Sequence, residues 1–451
     1  MKLPELRAVI HDAIANTEFA GKVYFAGGCV RDYLMGNEST DIDIAVELPE
    51  GGVRFARYLH EHLNTSHPIV YHRFGTAMTI FQGIKIETVM TRTESYRPQN
   101  RNPKVCHSDL YADVMRRDFT VNSLLMSVAD GSILDLCGQG RVDLADGIIR
   151  TVREPHLTFG EDPLRILRGI RFALKLGFEL EPLTADGIRD HATDLQHIKQ
   201  ERIADEFNKL IVMPDIERTM RLLERSGVLA QILPEVTALQ TVLPNQYHHL
   251  NGLEHTFEVL RHCPPDPFLR WAALLHDVGK VQCETLGKDG LLHYYGHEIK
   301  SAQIAGAILK RFMIAEPDSH RITRAIAKHM IYKNIGHQAE RISPKNLRKL
   351  ILLPEEDVEL LLSLIHADNL SHAPEFCMPE QIPCLQEQLS EELKKLSGIR
   401  FNLTGKDLIL ELGVQQGPLV GKLLKIAKDK WLEDPGISRE NLMHTLREKL
   451  Q

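Results

Sequence analysis

The sequence predicts a mixed α/β region at the N-terminal end and helical regions over the rest of the chain. Short apolar runs with a period of two alternate with helical patterns up to about residue 150, and from about residue 154 the apolar spacing is helical. With 451 residues, the chain has material for two to four domains. We expect them at 1–145, 146–235, 236–380 and 381–451.

Composition narrows the class of protein. The apolar fraction is 43% and the charged fraction 25%, as in ordinary globular proteins. A net charge of -7 argues against a protein that binds nucleic acid over its whole surface, but it permits a local basic surface. We expect neither a signal peptide nor a membrane span, because the sequence has no 18-residue apolar run. Its 7 scattered cysteines never form C-x-x-C, which favours a reducing cytoplasm.

The chain begins with a predicted helix over 1–20 and a strand at 23–26. Gly27 and Gly28 then form a turn before a helix that starts near Val30. Glycines at such a turn let a phosphate group approach the backbone, and Arg31 would attract its charge. A glycine pair before a helix is also commonly a plain tight turn.

The next strand carries two carboxylates. Asp41 and Asp43 share one face of a predicted strand over 40–46, with Ile42 and Ile44 on the other face. Like charges this close repel each other, and the strand itself contains no cation to offset them. Oxygen ligands favour a hard ion, so the pair predicts bound Mg²⁺ or Mn²⁺. The alternative is a solvated pair at a strand edge.

The α/β region continues with one more helix and three strands. A hairpin turn at Gln82 and Gly83 joins the last two strands. Glu87, on the final strand, is either a third carboxylate of the site or a surface residue. The predicted elements are a helix over 53–63 and strands over 69–72, 77–81 and 84–89.

Two further segments precede the helical region. Residues 94–114 lack periodicity and are expected to form a loop. Residues 116–123 are expected to start a helix, with Asp118 and Asn122 on one face and Arg117 beside them. Such a set could hold phosphates and a sugar, although a solvated helix start has the same pattern.

These N-terminal motifs resemble those of a known family. Residues 25–32 contain Gly-Gly-x-Val-Arg-Asp, and Asp-x-Asp follows at 41–43. The chain is therefore similar to the class II, bacterial-type tRNA nucleotidyltransferases (CCA-adding enzymes) and poly(A) polymerases of the DNA polymerase β superfamily. The resemblance implies a polymerase-β-like head (1–145) with Mg²⁺ or Mn²⁺ on Asp41 and Asp43. It implies catalytic residues Asp41, Asp43 and Glu87, and nucleotide contacts from Gly28, Arg31, Arg117, Asp118 and Asn122.

A helical neck (146–235) opens with a clear start signal. Asp162 is placed to cap a helix whose first turn contains Pro163. One stripe of this helix is apolar and another carries arginines, which is commonly a solvated face. The family resemblance implies instead that Asp162 and Arg165 select C and then A by hydrogen bonding. The nucleotide contacts that it adds are Asp162, Arg165, Arg168 and Arg171.

Histidines become dense beyond the neck, over 236–380. Their order resembles the HD phosphohydrolase domain, whose pattern of a histidine, a His-Asp pair and a distant aspartate matches His255, His276, Asp277 and Asp368. Imidazole and carboxylate ligands from several helices suit a divalent transition metal. His297 and His329 could hold a second ion.

The helical tail (381–451) carries a local basic run at Lys422, Lys425, Lys428 and Lys430. Residues 413–422 are typical of a helix-hairpin-helix turn that grips a phosphate backbone, or of a plain hairpin between two helices. In a chain that is acidic overall, this lysine-rich surface is a candidate binding site for tRNA.

The resemblance implies addition of CCA to the 3′ end of tRNA from CTP and ATP, without a template. A CC-only enzyme, an A-only enzyme and a poly(A) polymerase remain alternatives. The HD region could hydrolyse 2′,3′-cyclic phosphates, 2′-nucleotides or phosphate esters. Two other classes stay open, namely a metal phosphohydrolase acting on RNA ends and a non-catalytic tRNA-binding scaffold. The expected state is a monomer or homodimer.

Overall fold

The computed structural model describes residues 2–71, 75–97, 100–245, 249–288, 290–332 and 342–450, with backbone alone at 94–97, 100–105 and 331–332. The chain forms two compact units, residues 1–233 and 234–451. The first unit contains a mixed sheet followed by helices, and the second is mainly helical. The predicted fold class is therefore confirmed.

The head is a mixed sheet with flanking helices. Its strands are β1 (Val23–Ala26), β2 (Asp41–Val46), β3 (Ile69–Tyr71), β4 (Thr76–Phe81), β5 (Ile84–Met90), β6 (Arg92–Arg97), β7 (Asn100–His107), β8 (Leu125–Ser127) and β9 (Ile133–Leu134). Its helices are α1 (Leu3–Ile14), α2 (Gly28–Leu34), α3 (Gly51–Leu63), α4 (Leu110–Met115) and α5 (Gly140–Asp146). The main sheet has 7 strands in the order β3-β4-β5-β2-β1-β8-β9. Strands β2 and β5 run parallel, and the other neighbours run antiparallel.

Alternation along β2 and amphipathic helices build the core of the head. Ile42 and Ile44 point into a cluster with Phe25 of β1 and Phe55 of α3. Burying such side chains contributes about 1.5–3 kcal/mol each, which holds the sheet as a rigid platform. Gly52 lets α3 lie close to the sheet, because an added Cβ there would meet the Gly75 carbonyl oxygen at 2.4 Å.

Two predictions for the head were wrong. The expected loop at 94–114 is largely an antiparallel ribbon of β6 and β7 followed by α4, with residues 98 and 99 outside the described part. The helix expected at 116–123 is absent from the described backbone. Instead, Phe119 is extended and bridges to Thr151, and a single 3₁₀ turn follows at Thr120–Asn122. Tertiary pairing outweighs the local helical pattern there.

The neck contains a short parallel pair, β10 (Ile148–Ile149) with β11 (Glu179–Leu180), and a set of helices. Pro163 starts the central helix, whose apolar stripe is buried, and Gly177 ends it with a φ of 70°. The helices are α6 (Pro155–Glu161), α7 (Leu164–Leu176), α8 (Pro182–His191), α9 (Gln200–Leu210), α10 (Ile216–Arg225) and α11 (Val228–Ile232).

The second unit begins with a helical region and a small hairpin of β12 (Thr285–Leu286) and β13 (Leu292–His293). Side-chain caps fix two of its helices, because Asn251 accepts from the Leu253 and Glu254 amides and Asp266 accepts from the Leu269 amide. The helices are α12 (Pro234–Thr237), α13 (Gly252–Arg261), α14 (Pro267–Leu275), α15 (Lys280–Cys283), α16 (His297–Arg311), α17 (Glu316–Lys328), α18 (Pro344–Ile351) and α19 (Glu355–Leu370).

The tail has its own apolar cluster, which includes Leu408, Leu423 and Leu446. The predicted hairpin connects two of its helices, and Gly413 ends the first with a φ of 68°. Within the part of the chain that the structure describes, no helix is both long and apolar enough to cross a membrane. The tail helices are α20 (Gln381–Lys395), α21 (Gly405–Leu412), α22 (Pro418–Glu433) and α23 (Arg439–Glu448).

Candidate active site and metal centre

Three carboxylates meet on one face of the head sheet. The parallel register of β2 and β5 sets Asp43 opposite Glu87, and Asp41 lies two residues before Asp43 on the same face. Loss of hydration raises the pKa of Asp43, and the charges of Glu87 and Asp41 raise it further, while Arg117 opposes the rise. The arrangement therefore concentrates negative charge at Asp43.

Lys85, which was not among the predicted site residues, lies between two of these carboxylates. Lys85 Nζ is 2.6 Å from Glu87 Oε1 and 3.8 Å from Asp41 Oδ1. Its hydrogen bond to Glu87, together with the nearby carboxylate charges, raises the pKa of Lys85. Strand β2 itself contains no cation, as the sequence indicated, but the adjacent strand supplies one. The repulsion that pointed to a metal is thus partly offset within the chain.

The glycine turn lies against the carboxylates. Gly27 has a φ of 72°, which favours glycine, and a Cβ there would come within 3.9 Å of Asp43 Oδ2 and 3.5 Å of Arg117 Nη1. Helix α2 starts directly afterwards at Gly28. A group bound above this turn would therefore touch the turn and Asp43 together.

Two arginines and an asparagine line the same corner. Arg31 is buried, donating to Asn122 Oδ1 at 2.5 Å and to Asp32 Oδ1 at 2.6 Å. Arg117 donates to Asp113 Oδ2 at 3.1 Å and to the Asn122 carbonyl oxygen at 3.3 Å. The turn at Asn122 thus connects both arginines.

Asp118 faces the neck. The prediction that Asp118 and Asn122 share a helical face was wrong, because the backbone between them is extended and then turns. Arg168 donates to Asp118 Oδ2 at 2.7–2.8 Å. Although burial acts in the opposite direction, this guanidinium holds the pKa of Asp118 below its ordinary value. The carboxylate is therefore ionised and paired.

Asp162 and Arg165 point to different partners. Asp162 accepts from the Leu164 amide at 3.2 Å, as expected of a cap, and pairs with Arg202 at 2.8 Å. Arg165 is buried and donates to the Arg116 carbonyl oxygen at 2.9 Å. Arg171 pairs with Glu206 at 2.6 Å. The helix presents the predicted residues, but their side chains are engaged within the protein.

The predicted histidine centre is buried in the second unit. Its six residues come from helices α13, α16 and α19 and from the segments after α14 and α17. The residues form two groups of three, and within each group the ligand atoms lie within 4.8 Å of one another. Asp277 belongs to both groups. The first group is His255, His276 and Asp277, the second is Asp277, His297 and His329, and Asp368 Oδ1 lies 3.2 Å from His255 Nε2.

Backbone carbonyls orient three of these imidazoles. The Nδ1 atoms of His276, His297 and His329 lie 2.6–2.8 Å from carbonyl oxygens, so we assign the proton to Nδ1. Each Nε2 then turns a lone pair towards the centre. The Nε2 atoms of His276 and His297 each lie 3.2 Å from an Asp277 oxygen. Such a contact is favourable with a proton on Nε2 or with a bound cation, and although burial opposes the rise, the charge of Asp277 raises the pKa of His276.

The donor set fits a divalent transition metal. Imidazole nitrogens and carboxylate oxygens are its usual ligands, and backbone hydrogen bonds to the far nitrogen are the usual support. Despite the cost of burial, His276 and Lys280 hold the pKa of Asp277 well below its ordinary value. Lys280 Nζ is 2.6 Å from Asp277 Oδ2, and the ring of His372 stacks on His255. Neither was among the predicted site residues.

Comparison with known proteins decides the family. Three family models match: the poly A polymerase head domain at residues 23–150, the probable RNA and SrmB-binding site of polymerase A at 177–240, and the HD domain at 252–371. An A-adding tRNA nucleotidyltransferase of Deinococcus radiodurans is 31% identical over 92% of this chain and 92% of its own length. This chain belongs to the tRNA nucleotidyltransferase family. A CC-adding relative from Thermus thermophilus is also 31% identical, over 88% of this chain and 87% of its own.

The tRNA nucleotidyltransferase fold extends over the whole chain. A crystal structure of the Bacillus stearothermophilus CCA-adding enzyme in complex with CTP matches with a TM-score of 0.63 at 24% identity, covering 100% of this chain and 98% of that one. A Thermotoga maritima CCA-adding enzyme complexed with tRNA matches with a TM-score of 0.58 at 19% identity, covering 99% and 95%. The fold of this chain is therefore shared with these CCA-adding enzymes over almost its whole length.

Proposed function

We propose that this tRNA nucleotidyltransferase adds CCA to the 3′ end of tRNA, using CTP and ATP without a template. In each step the tRNA 3′-hydroxyl attacks the α-phosphate of the nucleotide, a new P–O bond forms, and pyrophosphate leaves. The observation that carries the proposal is the juxtaposition of three carboxylates, a glycine turn and Arg117 on one sheet face.

Asp41 and Asp43, with Glu87 beside them, are the residues that would hold Mg²⁺ or Mn²⁺. Oxygen ligands from adjacent strands fit such ions, which lower the pKa of a hydroxyl and neutralise charge on the leaving group. In this proposal Gly28, Arg31 and Arg117 bind the triphosphate. Asn122 accepts hydrogen bonds from both arginines, and Asp118 accepts one from Arg168 of the neck. The chain's own contribution is alignment and charge neutralisation.

The neck would select the base. We assign Asp162 and Arg165 to reading the base edge, with Arg168 and Arg171 as further nucleotide contacts on α7. In the present structure Arg202 pairs with Asp162, and backbone carbonyls engage Arg165. Base selection in this proposal therefore includes an exchange of Arg202 for the base at Asp162.

Incubation of the full chain with tRNA that lacks its CCA end, followed by sequencing of the 3′ ends, tests the proposal. We expect complete CCA ends with CTP and ATP, and none from an Asp41→Asn, Asp43→Asn double variant. Asp12→Asn, which changes an exposed carboxylate on α1, is the matched control and should extend normally. Wild-type protein that leaves the tRNA unextended would contradict the proposal.

The same products separate the narrower alternatives. Relatives named for A-adding and for CC-adding activity are each 31% identical to this chain, so both partial activities must be tested. Ends that stop at CC would identify a CC-only enzyme. Addition of A only to tRNA that already ends in CC would identify an A-only enzyme, and long A tracts a poly(A) polymerase.

A second activity is favoured by the HD centre. We infer that its histidines and aspartates hold a divalent transition metal and that the region hydrolyses phosphate esters such as 2′,3′-cyclic phosphates. Support comes from the converging Nε2 atoms and the shared Asp277. The bound ion would supply an activated water molecule.

Hydrolysis of 2′,3′-cyclic AMP by full-length protein loaded with Mn²⁺, Co²⁺ or Ni²⁺ tests this inference. We expect His276→Ala to abolish it and the head variants to retain it. His320→Ala, which removes an exposed histidine of α17, is the control. If no metal binds, or if bound metal gives no hydrolysis, the second activity is ruled out for this substrate class.

The four-part division at 145, 235 and 380 remains our proposal for the domains.

A further inference from the structure

One aromatic ring in the neck is shared by three arginines. Phe172 lies on α7 and is 8% exposed. The guanidinium carbons of Arg171, Arg168 and Arg31 lie 4.5, 5.3 and 5.6 Å from its centroid. Arg168 and Arg171 come from the same helix, whereas Arg31 comes from α2 of the head. The ring therefore lies next to Arg31, which is proposed to bind the triphosphate, and belongs to the helix proposed to read the base.

Each of these arginines also has its own acceptor. Arg31 donates to Asp32 and Asn122, Arg168 to Asp118, and Arg171 to Glu206. The Arg168–Asp118 and Arg171–Glu206 ion pairs have N–O distances of 2.7 Å and 2.6 Å. The carboxylates thus fix three guanidinium groups separately, and the ring is the group that all three approach. An edge-to-face contact with Phe119, at 6.0 Å, holds the ring itself.

An aromatic face attracts cations in a way that an aliphatic side chain does not. The negative face of the ring offsets part of the repulsion between neighbouring guanidinium groups, and the attraction grows where water is excluded. A leucine of similar size would fill the space at Phe172 without this attraction. The choice of phenylalanine here has an electrostatic consequence besides its packing.

We propose that Phe172 is a positioning residue for nucleotide binding. Its ring sets Arg31, beside the Gly27 turn, relative to Arg168 on the base-reading helix. Affinity for CTP and ATP then depends on the electrostatic character of the ring and not only on its volume. The inference rests on the proposed nucleotidyl transfer, because it requires that these arginines face a bound nucleotide.

A fluorination series separates electrostatics from packing. We would replace Phe172 in the full chain by 4-fluoro-, 3,5-difluoro- and 3,4,5-trifluorophenylalanine, which weaken the negative face stepwise with little change of shape. Calorimetric titration with CTP and with ATP should show a stepwise loss of affinity, about threefold to tenfold over the series. The thermal midpoint should stay close to that of the unsubstituted protein. Phe172→Leu should resemble the trifluoro protein in affinity.

Phe159 provides the matched control. It is fully buried on α6 in the same unit, and no cation lies over its ring among the described residues. The same series at Phe159 should leave both affinities unchanged. Equal affinities across the Phe172 series, or a parallel loss at Phe159, would overturn the inference.

Incorporation assays on the same proteins keep the two hypotheses apart. If the unsubstituted chain binds nucleotide but does not extend tRNA, the proposed function fails while the binding series still tests Phe172. If it extends tRNA and the Phe172 series is flat, only the present inference fails. Absence of any CTP or ATP binding by the unsubstituted chain overturns both.

Discussion

The two proposed cation centres of this chain are built in opposite ways. In the head, carboxylates from adjacent strands lie at an open sheet face, where the Asp41 side chain is 78% exposed and Lys85 is within reach. In the HD region, the ligands come from several helices and are almost completely buried. An open site can exchange ions with each substrate, whereas a buried, preoriented site favours a resident ion. Under the proposed function, we therefore expect the head to exchange ions with each substrate and the HD region to retain its ion.

The largest effect should come from the head carboxylates. Replacing Asp41 and Asp43 by asparagine should lower CTP incorporation by about a thousandfold or more, because metal contributions to such steps are several kcal/mol. Radiolabelled incorporation into truncated tRNA measures this. Hydrolysis of 2′,3′-cyclic AMP should not change in the same protein. A parallel loss of both activities would show that the centres are not independent.

Loss of the shared aspartate should have the next largest effect, confined to the other centre. Asp277→Asn removes the buried partner of Lys280 and of the histidines, which should destabilise the metal-free second unit by about 3–5 kcal/mol. Chemical denaturation followed by limited proteolysis reports the unfolding of each unit. Glu316→Gln, at an exposed position on α17, is the control. Unaltered metal binding by Asp277→Asn would contradict the assignment of the centre.

Lys85 tests whether the head carboxylates already have a cation. Lys85→Met should tighten Mn²⁺ binding at the head by about twofold to fivefold, the range expected for loss of an exposed ion pair. Electron paramagnetic resonance titration in an Asp277→Asn background would isolate this site. Lys22→Met, at an exposed position, should bind as before. Weaker binding in Lys85→Met would mean that the lysine assists the metal instead of competing with it.

The smallest effect concerns pH and has opposite signs at two aspartates. Loss of hydration and the charges of Glu87 and Asp41 raise the pKa of Asp43 in the folded chain, so its ionisation above about pH 4 costs stability. Asp43→Asn should therefore raise the thermal midpoint at pH 7, in the presence of a chelator, relative to wild type. The difference should shrink as the pH approaches 4.

Asp130 serves as the comparison of opposite sign. Hydrogen bonds from the Ser132 amide and hydroxyl lower the pKa of Asp130 to about 2, so its ionised form adds stability that is lost as the pH falls from about 4 to 2. Asp130→Asn should lower the midpoint at pH 7. If both variants shift the midpoint in the same direction, the proposed charge balance at Asp43 is wrong.

Local patterns in the sequence predicted the strands of the head sheet but not how these strands pair. The alternation in β2 correctly set Asp41 and Asp43 on one face. Whether Glu87 and Lys85 lie beside them depends on the register between β2 and β5, which the sequence of either strand alone does not specify. The structure places Glu87 opposite Asp43, and its catalytic role remains a prediction.

The wrong prediction of a helix at 116–123 also arose from a long-range contact that the local sequence does not specify. Residues 116–123 have a helical pattern, yet Phe119 pairs with Thr151, more than thirty residues away. A tertiary contact of this kind overrides weak propensity in a short segment. In the HD region the order of histidines identified the centre through family resemblance, whereas Lys280 and His372 became visible only when the helices were assembled.

Diffraction from crystals grown with Mn²⁺ and a non-hydrolysable CTP analogue tests the account most directly. Anomalous scattering should show manganese between Asp41 and Asp43, with the triphosphate against the Gly27 turn and Arg117. Manganese and nucleotide bound elsewhere, with Asp41 and Glu87 still paired with Lys85, would contradict the assignment of the head as the site of nucleotidyl transfer.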